Sequence, residues 1–121
     1  MEKKAMIIRM NGVKEQEVDP DARYSLEEEL QIIKSIQQRG KERDTAIEKL
    51  AQSRLRFVTA VAKRYVNNNL PMDELIKAGN KGLVLAAENF DESRGFKFIC
   101  YAIWWIRHSI ENEISNSNNL Q

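Results

Sequence analysis

The architecture of this protein follows from one segment of its sequence, FKFICYAIWWIRHSIENEI, which occupies Phe96–Ile114. At about 100° per residue, a helix through this segment has one aliphatic side, which consists of Ile99, Ala102, Ile103, Ile106, Ile110 and Ile114. The opposite side carries aromatic rings where a surface helix of a small bundle has lysine and glutamate; these rings are Tyr101, Trp104, Trp105 and His108. The segment therefore predicts a helix with two apolar faces, each of which needs a partner.

Three further helices are predicted before this segment. The first begins with a capping box, in which the Ser25 side chain accepts from a free backbone N–H and Glu28 reaches back to the cap. This pattern predicts a helix from Leu26 to about Arg39, and we expect Gly40 to end it.

The second and third helices are predicted from apolar side chains that repeat every three or four residues. Asp44 or Thr45 caps the second helix, which is expected to be continuous and the longest before Asn67. Its apolar positions are Ile47, Leu50, Leu55, Val58, Ala62 and Tyr65. Pro71 suits the first turn of the third helix, where its missing N–H costs nothing. The predicted buried stripe of the third helix is Leu75, Ile76, Leu83, Ala86, Ala87 and Phe90.

These patterns predict an all-α protein, a compact bundle of about four main helices with no strand pattern and no internal repeat. Residues 24–121 are predicted to form the bundle. Residues 1–23 lack a helical period and contain the turn dipeptides Asn11-Gly12 and Asp19-Pro20, so we expect a loosely ordered lead-in. At 121 residues the chain fits one domain.

Composition restricts the classes of function. The sequence is 42% hydrophobic and 31% charged, no apolar run approaches a membrane span, and no secretion leader opens it. Cys100 is the only cysteine and His108 the only histidine, so we expect no disulfide, no metal cluster and a location in the reducing cytoplasm. We also expect no cofactor and no enzymatic activity, because a glycine-rich phosphate loop and a nucleophile with a base in register are missing. Asp73 and Glu74 diverge by about 100° on a helix and make a poor acid–base pair.

The aromatic side of the last helix has two interpretations: other helices cover it, or it is free to bind a ligand. We favour the second, because only three other helices are available and because charged residues flank the rings. The flanking residues are Arg94, Lys97, Arg107 and Glu111. Exposed rings beside cations hold single-stranded nucleic acid, by base stacking and attraction to phosphate. With a net charge of +1, the protein must hold such a partner locally. Phe96 and Phe98 either extend this platform or anchor the preceding turn.

The same segment resembles a known family. Phe96–Arg107 is similar to the promoter-melting helix of primary-type bacterial sigma factors, with twin tryptophans after Tyr-Ala and a closing Ile-Arg. The resemblance extends upstream through Leu55–Val58, Ala62–Tyr65, Asp73–Leu83 and Phe90-Asp91, and it covers roughly residues 24–114. No helix-turn-helix for the minus-thirty-five element follows, so we expect an excised domain or a naturally shortened relative that lacks the C-terminal domains.

By this resemblance, the chain is the core-binding and minus-ten-recognising domain of a transcription initiation factor. Its partners would be core RNA polymerase and the non-template strand of promoter DNA, with no membrane. Tyr101 would match the family's stacking tyrosine for a flipped adenine, and Trp104 and Trp105 the pair that supports the last closed base pair upstream. The implied DNA-binding residues are Arg94, Phe96, Lys97, Phe98, Tyr101, Trp104, Trp105, Arg107, His108 and Glu111.

The resemblance also implies a surface for the clamp coiled coil of the polymerase beta-prime subunit. The implied contact residues are Leu55, Val58, Asp73, Glu74, Leu75, Ile76, Lys77, Asn80 and Val84. Gly79 and Gly82 lie in the middle of the same predicted helix, where each glycine costs about 1 kcal/mol relative to alanine. Such a pair indicates a closely approaching backbone, which belongs either to an internal helix crossing or to a partner helix.

The sequence departs from the family at several positions. Lys77 and Ala78 stand where the clamp-facing helix usually has a glutamine and a glutamate, which predicts a changed affinity for the polymerase. His108 and Glu111 replace a glutamine and a threonine, which predicts altered readout of the upstream base pair, since glutamate can accept from cytosine N4. Cys100 stands where the family commonly has a hydroxyl, and we expect it to be a small buried hydrophobe.

A different class of function stays open at this point. A sigma-like chain can bind the polymerase clamp or an anti-sigma factor as a protein-interaction module, without recognising DNA. Binding of single-stranded promoter DNA distinguishes DNA recognition from protein binding alone, because only DNA recognition requires the aromatic rings to be accessible.

Overall fold

The computed structural model of the protein describes residues 6–8, 16–18, 24–66 and 69–119. The chain divides into two compact units, Met1–Arg56 and Phe57–Gln121. Helices make up most of the described residues, which confirms the predicted all-α class.

Two short strands precede the helices. β1 (Met6–Ile8) pairs antiparallel with β2 (Gln16–Val18). The sequence shows no strand pattern here, because strands of three residues are too short for the alternation that would predict them. The other positions of the predicted lead-in, including both turn dipeptides, lie outside the described residues.

The first helix, α1, spans Leu26–Gln38 and begins as predicted. The backbone N–H of Glu28 donates to Ser25 Oγ at 3.1 Å, and the backbone N–H of Ser25 donates to Glu28 Oε1 at 2.9 Å. This confirms the capping box, which satisfies two N–H groups that have no partner within the helix. The buried aliphatic residues of α1 are Ile32, Ile33 and Ile36.

The end of α1 differs from the prediction. Arg39, with a φ of 56°, is the left-handed residue at the C-terminus, and Gly40 follows it. The carbonyl of Ile36 accepts from the Arg39 N–H at 3.4 Å and from the Arg43 guanidinium at 2.7 Å. The residue that ends the helix is therefore Arg39 and not Gly40, and two hydrogen bonds to the Ile36 carbonyl are made there.

The predicted second helix is in fact two helices. α2 spans Arg43–Ser53 and α3 spans Leu55–Ala62. Between them, Arg54 leaves helical geometry with a φ of −112°. The apolar pattern contains a trace of this break, because Leu50 and Leu55 are five residues apart, which is not a helical repeat.

Both ends of α2 differ from what the sequence predicts. Its N-cap residue is Glu42 and makes no side-chain cap bond, so neither Asp44 nor Thr45 caps this helix. At the other end, the Arg54 guanidinium donates to both carboxylate oxygens of Glu29 at 2.8 Å. This two-bond ion pair joins α1 to the point where α2 stops.

The second unit is built on two long helices. α4 spans Met72–Asn89, with Pro71 at its N-cap rather than in its first turn. α5 spans Phe98–Asn119, so it starts two residues later than predicted and continues beyond Ile114. The residues of this unit buried on α5 are Phe98, Ala102, Ile106, Ile110 and Ile114.

Glycine allows the backbones of the second unit to approach closely. A Cβ atom at Gly82 would lie 2.5 Å from the Trp105 carbonyl oxygen and 2.7 Å from Ile106 Cα. A Cβ atom at Gly79 would lie 2.7 Å from Val58 Cγ1. The close approach that the two glycines indicated is therefore an internal helix crossing.

Candidate nucleic-acid interface

A tight turn between α4 and α5 leads into the candidate interface. Asp91 Oδ1 accepts from the Ser93 hydroxyl at 2.6 Å and from the Ser93 N–H at 3.0 Å, which caps a single 3-10 turn at Glu92–Arg94. These hydrogen bonds lower the pKa of the Asp91 carboxyl below its ordinary value. Gly95 then adopts a φ of 84°, which residues with a side chain rarely adopt. The two residues that follow Gly95, Phe96 and Lys97, are exposed just before α5 begins.

Four aromatic rings cluster at this end of α5. Phe98 is only 5% exposed and meets Phe90 edge to face at 5.3 Å, so it anchors the core. This corrects the prediction that Phe98 binds DNA, because a buried ring cannot stack on a base. Phe96 is 44% exposed and lies over Tyr101, with 5.8 Å between ring centroids and 22° between planes. Tyr101 is half-buried, and its hydroxyl donates to the Asn89 carbonyl at 3.3 Å.

The two tryptophans differ in exposure. Trp104 is 59% exposed, and Trp105 is half-buried and meets it edge to face at 5.3 Å. His108 is exposed and stacks on Trp104, with 5.0 Å between centroids and 5° between planes. The Trp105 Nε1 atom is buried and has no hydrogen-bond partner in the described part of the chain. Trp105 therefore braces Trp104 from the helix side, while Trp104 keeps most of its ring accessible.

A groove of about 310 Å³ lies along this side of α5. It is lined by Ile103, Trp104, Arg107, His108 and Glu111. The groove thus combines an accessible indole with a cation and an anion within two helical turns.

Tyr65 adds a second element to this side of α5. It is the last residue of a 3-10 turn, Lys63–Tyr65, that follows α3. Its hydroxyl donates to Glu111 Oε2 at 2.7 Å and accepts from Arg107 Nε at 3.4 Å. The hydrogen bond with Tyr65 raises the pKa of the Arg107 guanidinium above its ordinary value. The spacing of Tyr65 predicts a place in the apolar stripe of the second helix and does not reveal this contact, for which a hydroxyl among aliphatic residues is the only signal in the sequence.

The three predicted cations, Arg94, Lys97 and Arg107, are all exposed. Arg94 Nε lies 4.0 Å from Asp91 Oδ2, and its side chain is 71% exposed, so this ion pair leaves the guanidinium accessible. Cys100 is exposed as well, contrary to the expectation of a buried hydrophobe. The reason is its place on α5, where it lies about 200° around the helix from the buried Ala102.

The residues predicted to contact the polymerase fall into two groups. Val58 and Leu75 are fully buried in this structure, which corrects their assignment, since neither side chain can meet a partner without opening the fold. The others are half-buried or exposed: Leu55 at the start of α3, and Asp73, Glu74, Ile76, Lys77, Asn80 and Val84 on α4. Glu74 and Lys77 form an ion pair at 3.7 Å. The Asn80 Oδ1 atom is buried without a hydrogen-bond partner among the described residues.

The described part of the chain holds no group of three or more histidine, cysteine, aspartate or glutamate side chains that could bind a metal ion. None of the described helices is long and apolar enough to cross a membrane. The first unit has a groove of about 400 Å³ between α1 and α2, lined by Gln31, Ile32, Ser35, Lys41, Glu42, Thr45, Ala46 and Lys49.

The sequence of this chain is similar to those of several known proteins. The sequence model of Sigma-70 region 2 matches residues 50–119, which include α3, α4 and α5. The chain is 44% identical over 102 residues to RNA polymerase principal sigma factor HrdD of Streptomyces griseus, covering 84% of this chain and 29% of that protein. It is 47% identical over 73 residues to RNA polymerase sigma factor SigA of Microcystis aeruginosa, covering 60% of this chain and 18% of the relative.

A third relative is RNA polymerase sigma factor SigA of Lactococcus lactis subsp. cremoris, 40% identical over 92 residues, or 76% of this chain and 25% of that protein. The chain thus spans less than a third of the length of each of these curated relatives. The residues matched by the family model, 50–119, include the exposed rings of Phe96, Trp104 and His108.

Proposed function

The chain belongs to the Sigma-70 region 2 family, and on that basis we propose that it acts as a transcription initiation factor domain. Its proposed task is to hold the non-template strand of a minus-ten promoter element while the duplex opens there. Core RNA polymerase and promoter DNA are the proposed partners, consistent with relatives named as RNA polymerase sigma factors.

One observation carries the proposal: ring surface is exposed beside cations on one side of α5. Trp104 and Phe96 are among the large hydrophobic residues that remain exposed, and Lys97 and Arg107 lie next to them in the sequence or one helical turn away. Rings in this setting favour single-stranded nucleic acid, because every base has a face for stacking and every phosphate attracts a cation.

The aromatic residues have distinct proposed roles. Phe96 and Tyr101 form the stacking site for an unpaired base, which either stacks on the outer face of Phe96 or takes its place against Tyr101. Trp104, braced by Trp105, supports the last closed base pair upstream. The proposed phosphate contacts are Arg94, Lys97 and Arg107.

The energies of these contacts limit what the chain does alone. Stacking on an aromatic side chain contributes about 1–3 kcal/mol per base, whereas each lost DNA stacking step costs about 1.4 kcal/mol before unpairing is counted. One captured base therefore offsets roughly one opened step. We expect the isolated chain to bind single strands weakly and not to melt duplex DNA, for which the polymerase supplies further contacts.

The exposed side of α4 is the proposed contact with the clamp coiled coil of the beta-prime subunit. Asp73, Lys77, Asn80 and Val84 follow one another at intervals of three or four residues and so share one helix face. None of the residues on this face of α4 takes part in the contacts among the aromatic rings of α5.

A fluorescence titration of the 121-residue chain with a single strand containing TATAAT tests the proposal. We expect this strand to quench the tryptophan fluorescence more strongly than a scrambled strand of equal composition. With a labelled strand, Trp104→Ala should weaken binding by about 1–3 kcal/mol. Leu26→Ala is the matched control, because Leu26 is an exposed apolar side chain on α1. Equal quenching by both strands contradicts sequence recognition, and no quenching by either contradicts DNA binding.

A second candidate function is protein binding without DNA recognition, to the polymerase clamp or to an anti-sigma factor. The half-buried apolar side chains of Ile76 and Val84, among the charged and polar residues of α4, favour it. Pull-down of the chain with the clamp coiled coil, compared between wild type and Asn80→Ala, measures this binding. Asn112→Ala, an exposed asparagine on α5, is the control. Retention by the coiled coil together with no quenching by either strand would favour this second function.

A further inference from the structure

We propose that Tyr65 is a positioning residue for DNA binding. Its hydroxyl holds the Glu111 carboxylate beside Arg107 and so limits the repulsion between this carboxylate and the phosphates of DNA. This inference rests on the proposed function and deepens it, since it concerns how an acid is tolerated on a surface that binds a polyanion.

The contact is specific in its geometry. The Tyr65 hydroxyl has one proton to donate, and Glu111 Oε2 accepts it at 2.7 Å, a distance typical of an O–H···O hydrogen bond. The Tyr65 hydroxyl oxygen in turn accepts from Arg107 Nε at 3.4 Å. One phenol thus links a cation and an anion that lie one turn apart on α5.

Charge explains why the link matters. Glu111 lines the groove that also contains Trp104 and Arg107, so a carboxylate free to turn into the groove would face the phosphates of a strand stacked on the indole. Two unit charges about 7 Å apart in water repel enough to change an affinity about threefold. By donating a hydrogen bond to Glu111 Oε2, the Tyr65 hydroxyl holds the carboxylate at the wall of the groove and restrains it from turning further in.

Arg107 gains from the same arrangement. Its Nε is directed at the Tyr65 hydroxyl, and within the described residues its two terminal nitrogens make no hydrogen bond. These nitrogens are the ones that bind a phosphate in a fork geometry. Tyr65 therefore leaves the phosphate-binding end of the guanidinium available while it fixes the rest of the group.

A double-mutant cycle in DNA binding tests the proposal. The variants are Tyr65→Phe, Glu111→Gln and the two combined, each titrated with the TATAAT single strand at low salt. We expect Tyr65→Phe to weaken binding about threefold when Glu111 is present, and to lose most of this effect when glutamine replaces it. The loss should shrink as salt is raised, because it arises from charge repulsion.

Two control variants remove the same groups elsewhere. Tyr24→Phe deletes a hydroxyl in the first unit, and Glu113→Gln neutralises an exposed acid on another side of α5. Neither should show the coupling. A second cycle, in the urea unfolding of the free protein, should also find Tyr65 and Glu111 coupled, since their hydrogen bond exists without DNA.

The results of these experiments distinguish a failure of the role of Tyr65 from a failure of the proposed DNA binding. If wild type binds the strand but Tyr65→Phe weakens binding equally in both backgrounds, the role of Tyr65 is only structural and the inference is overturned. Additive effects in the unfolding cycle overturn it too. If wild type binds no strand at all, the proposed function itself fails, and the inference fails with it.

Discussion

Gly82 shows how a single residue can set the distance between two helices. A Cβ atom there would meet the carbonyl oxygen and carbonyl carbon of Trp105 and the Cα of Ile106, all within 2.8 Å. These are backbone atoms of α5, and they cannot turn aside as the end of a flexible side chain can. At Gly79 the nearest atom is instead Val58 Cγ1, which belongs to a side chain.

We expect Gly82→Ala to destabilise the protein more than Gly79→Ala. Overpacking costs typically about 1–3 kcal/mol, and alanine returns only about 1 kcal/mol of helix propensity. Urea unfolding followed by circular dichroism measures both variants. Gly40→Ala is the control, because a Cβ atom there has nothing within 4 Å. A Gly82→Ala variant as stable as Gly40→Ala would show that the two backbones are not in contact.

At the scale of single elements, α1 shows a helix start that local chemistry specifies. The backbone N–H of Ser25 donates to the Glu28 carboxylate. This hydrogen bond, with a smaller contribution from the Ser25 side chain, lowers the pKa of the Glu28 carboxyl below its ordinary value of 4.5. Because the folded pKa is lowered, this contribution to stability is fully present above the unfolded value. It is lost as the pH falls through the folded pKa.

Ser25→Ala should therefore reduce stability by about 0.5–2 kcal/mol at neutral pH. The difference between the variant and wild type should narrow as the pH falls through the lowered pKa of Glu28, because the part of this lowering that comes from the Ser25 side chain is absent in the variant. Urea unfolding at pH 7 and pH 3 measures this change. Ser35→Ala, in the middle of α1, should show no such pH dependence. A gap that stays constant with pH would mean that Glu28 does not act through the cap.

The break between α2 and α3 leaves only a trace in the local apolar pattern, and its cause lies outside that pattern. Glu29 is almost fully buried, and the Arg54 guanidinium reaches it with two hydrogen bonds. A buried carboxylate without its partner costs several kcal/mol, so a conformation of Arg54 that keeps the pair is favoured over one more helical turn. The partners are 25 residues apart, which puts the pair beyond any helical repeat.

At the scale of the whole molecule, the charge balance determines how the protein can bind DNA. The net charge is only +1, from 19 basic and 18 acidic residues, so there is little general attraction to a polyanion. Binding must come from cations that the fold places together, and on α5 and the turn before it these are Arg94, Lys97 and Arg107.

The salt dependence of single-strand binding should reflect these few cations. Three phosphate contacts predict a slope of about −2 in a plot of log affinity against log salt, since each contact on a single strand contributes about −0.7. Arg107→Gln should reduce the slope by about 0.7, whereas Lys49→Gln, an exposed lysine on α2, should leave it unchanged. A slope near zero for wild type would contradict phosphate binding by these residues.

What the amino-acid sequence determined lies within a few residues along the chain. The capping box of α1, the existence of α4 and α5, and the two chemically different sides of α5 all depend on neighbours three or four positions apart, which a helix places side by side. The all-α class followed from those patterns, and the family resemblance followed from the particular residues of Phe96–Arg107.

What only the tertiary structure decided depends on contacts between distant residues. Tyr65 meets Glu111 across 46 positions, and Phe98 is buried because Phe90 of the preceding turn lies against it. Whether an aromatic side chain becomes core or accessible surface depends on which other element packs over it. The pattern of one helix specifies its faces, but the packing of other elements decides which of its rings remain in contact with solvent.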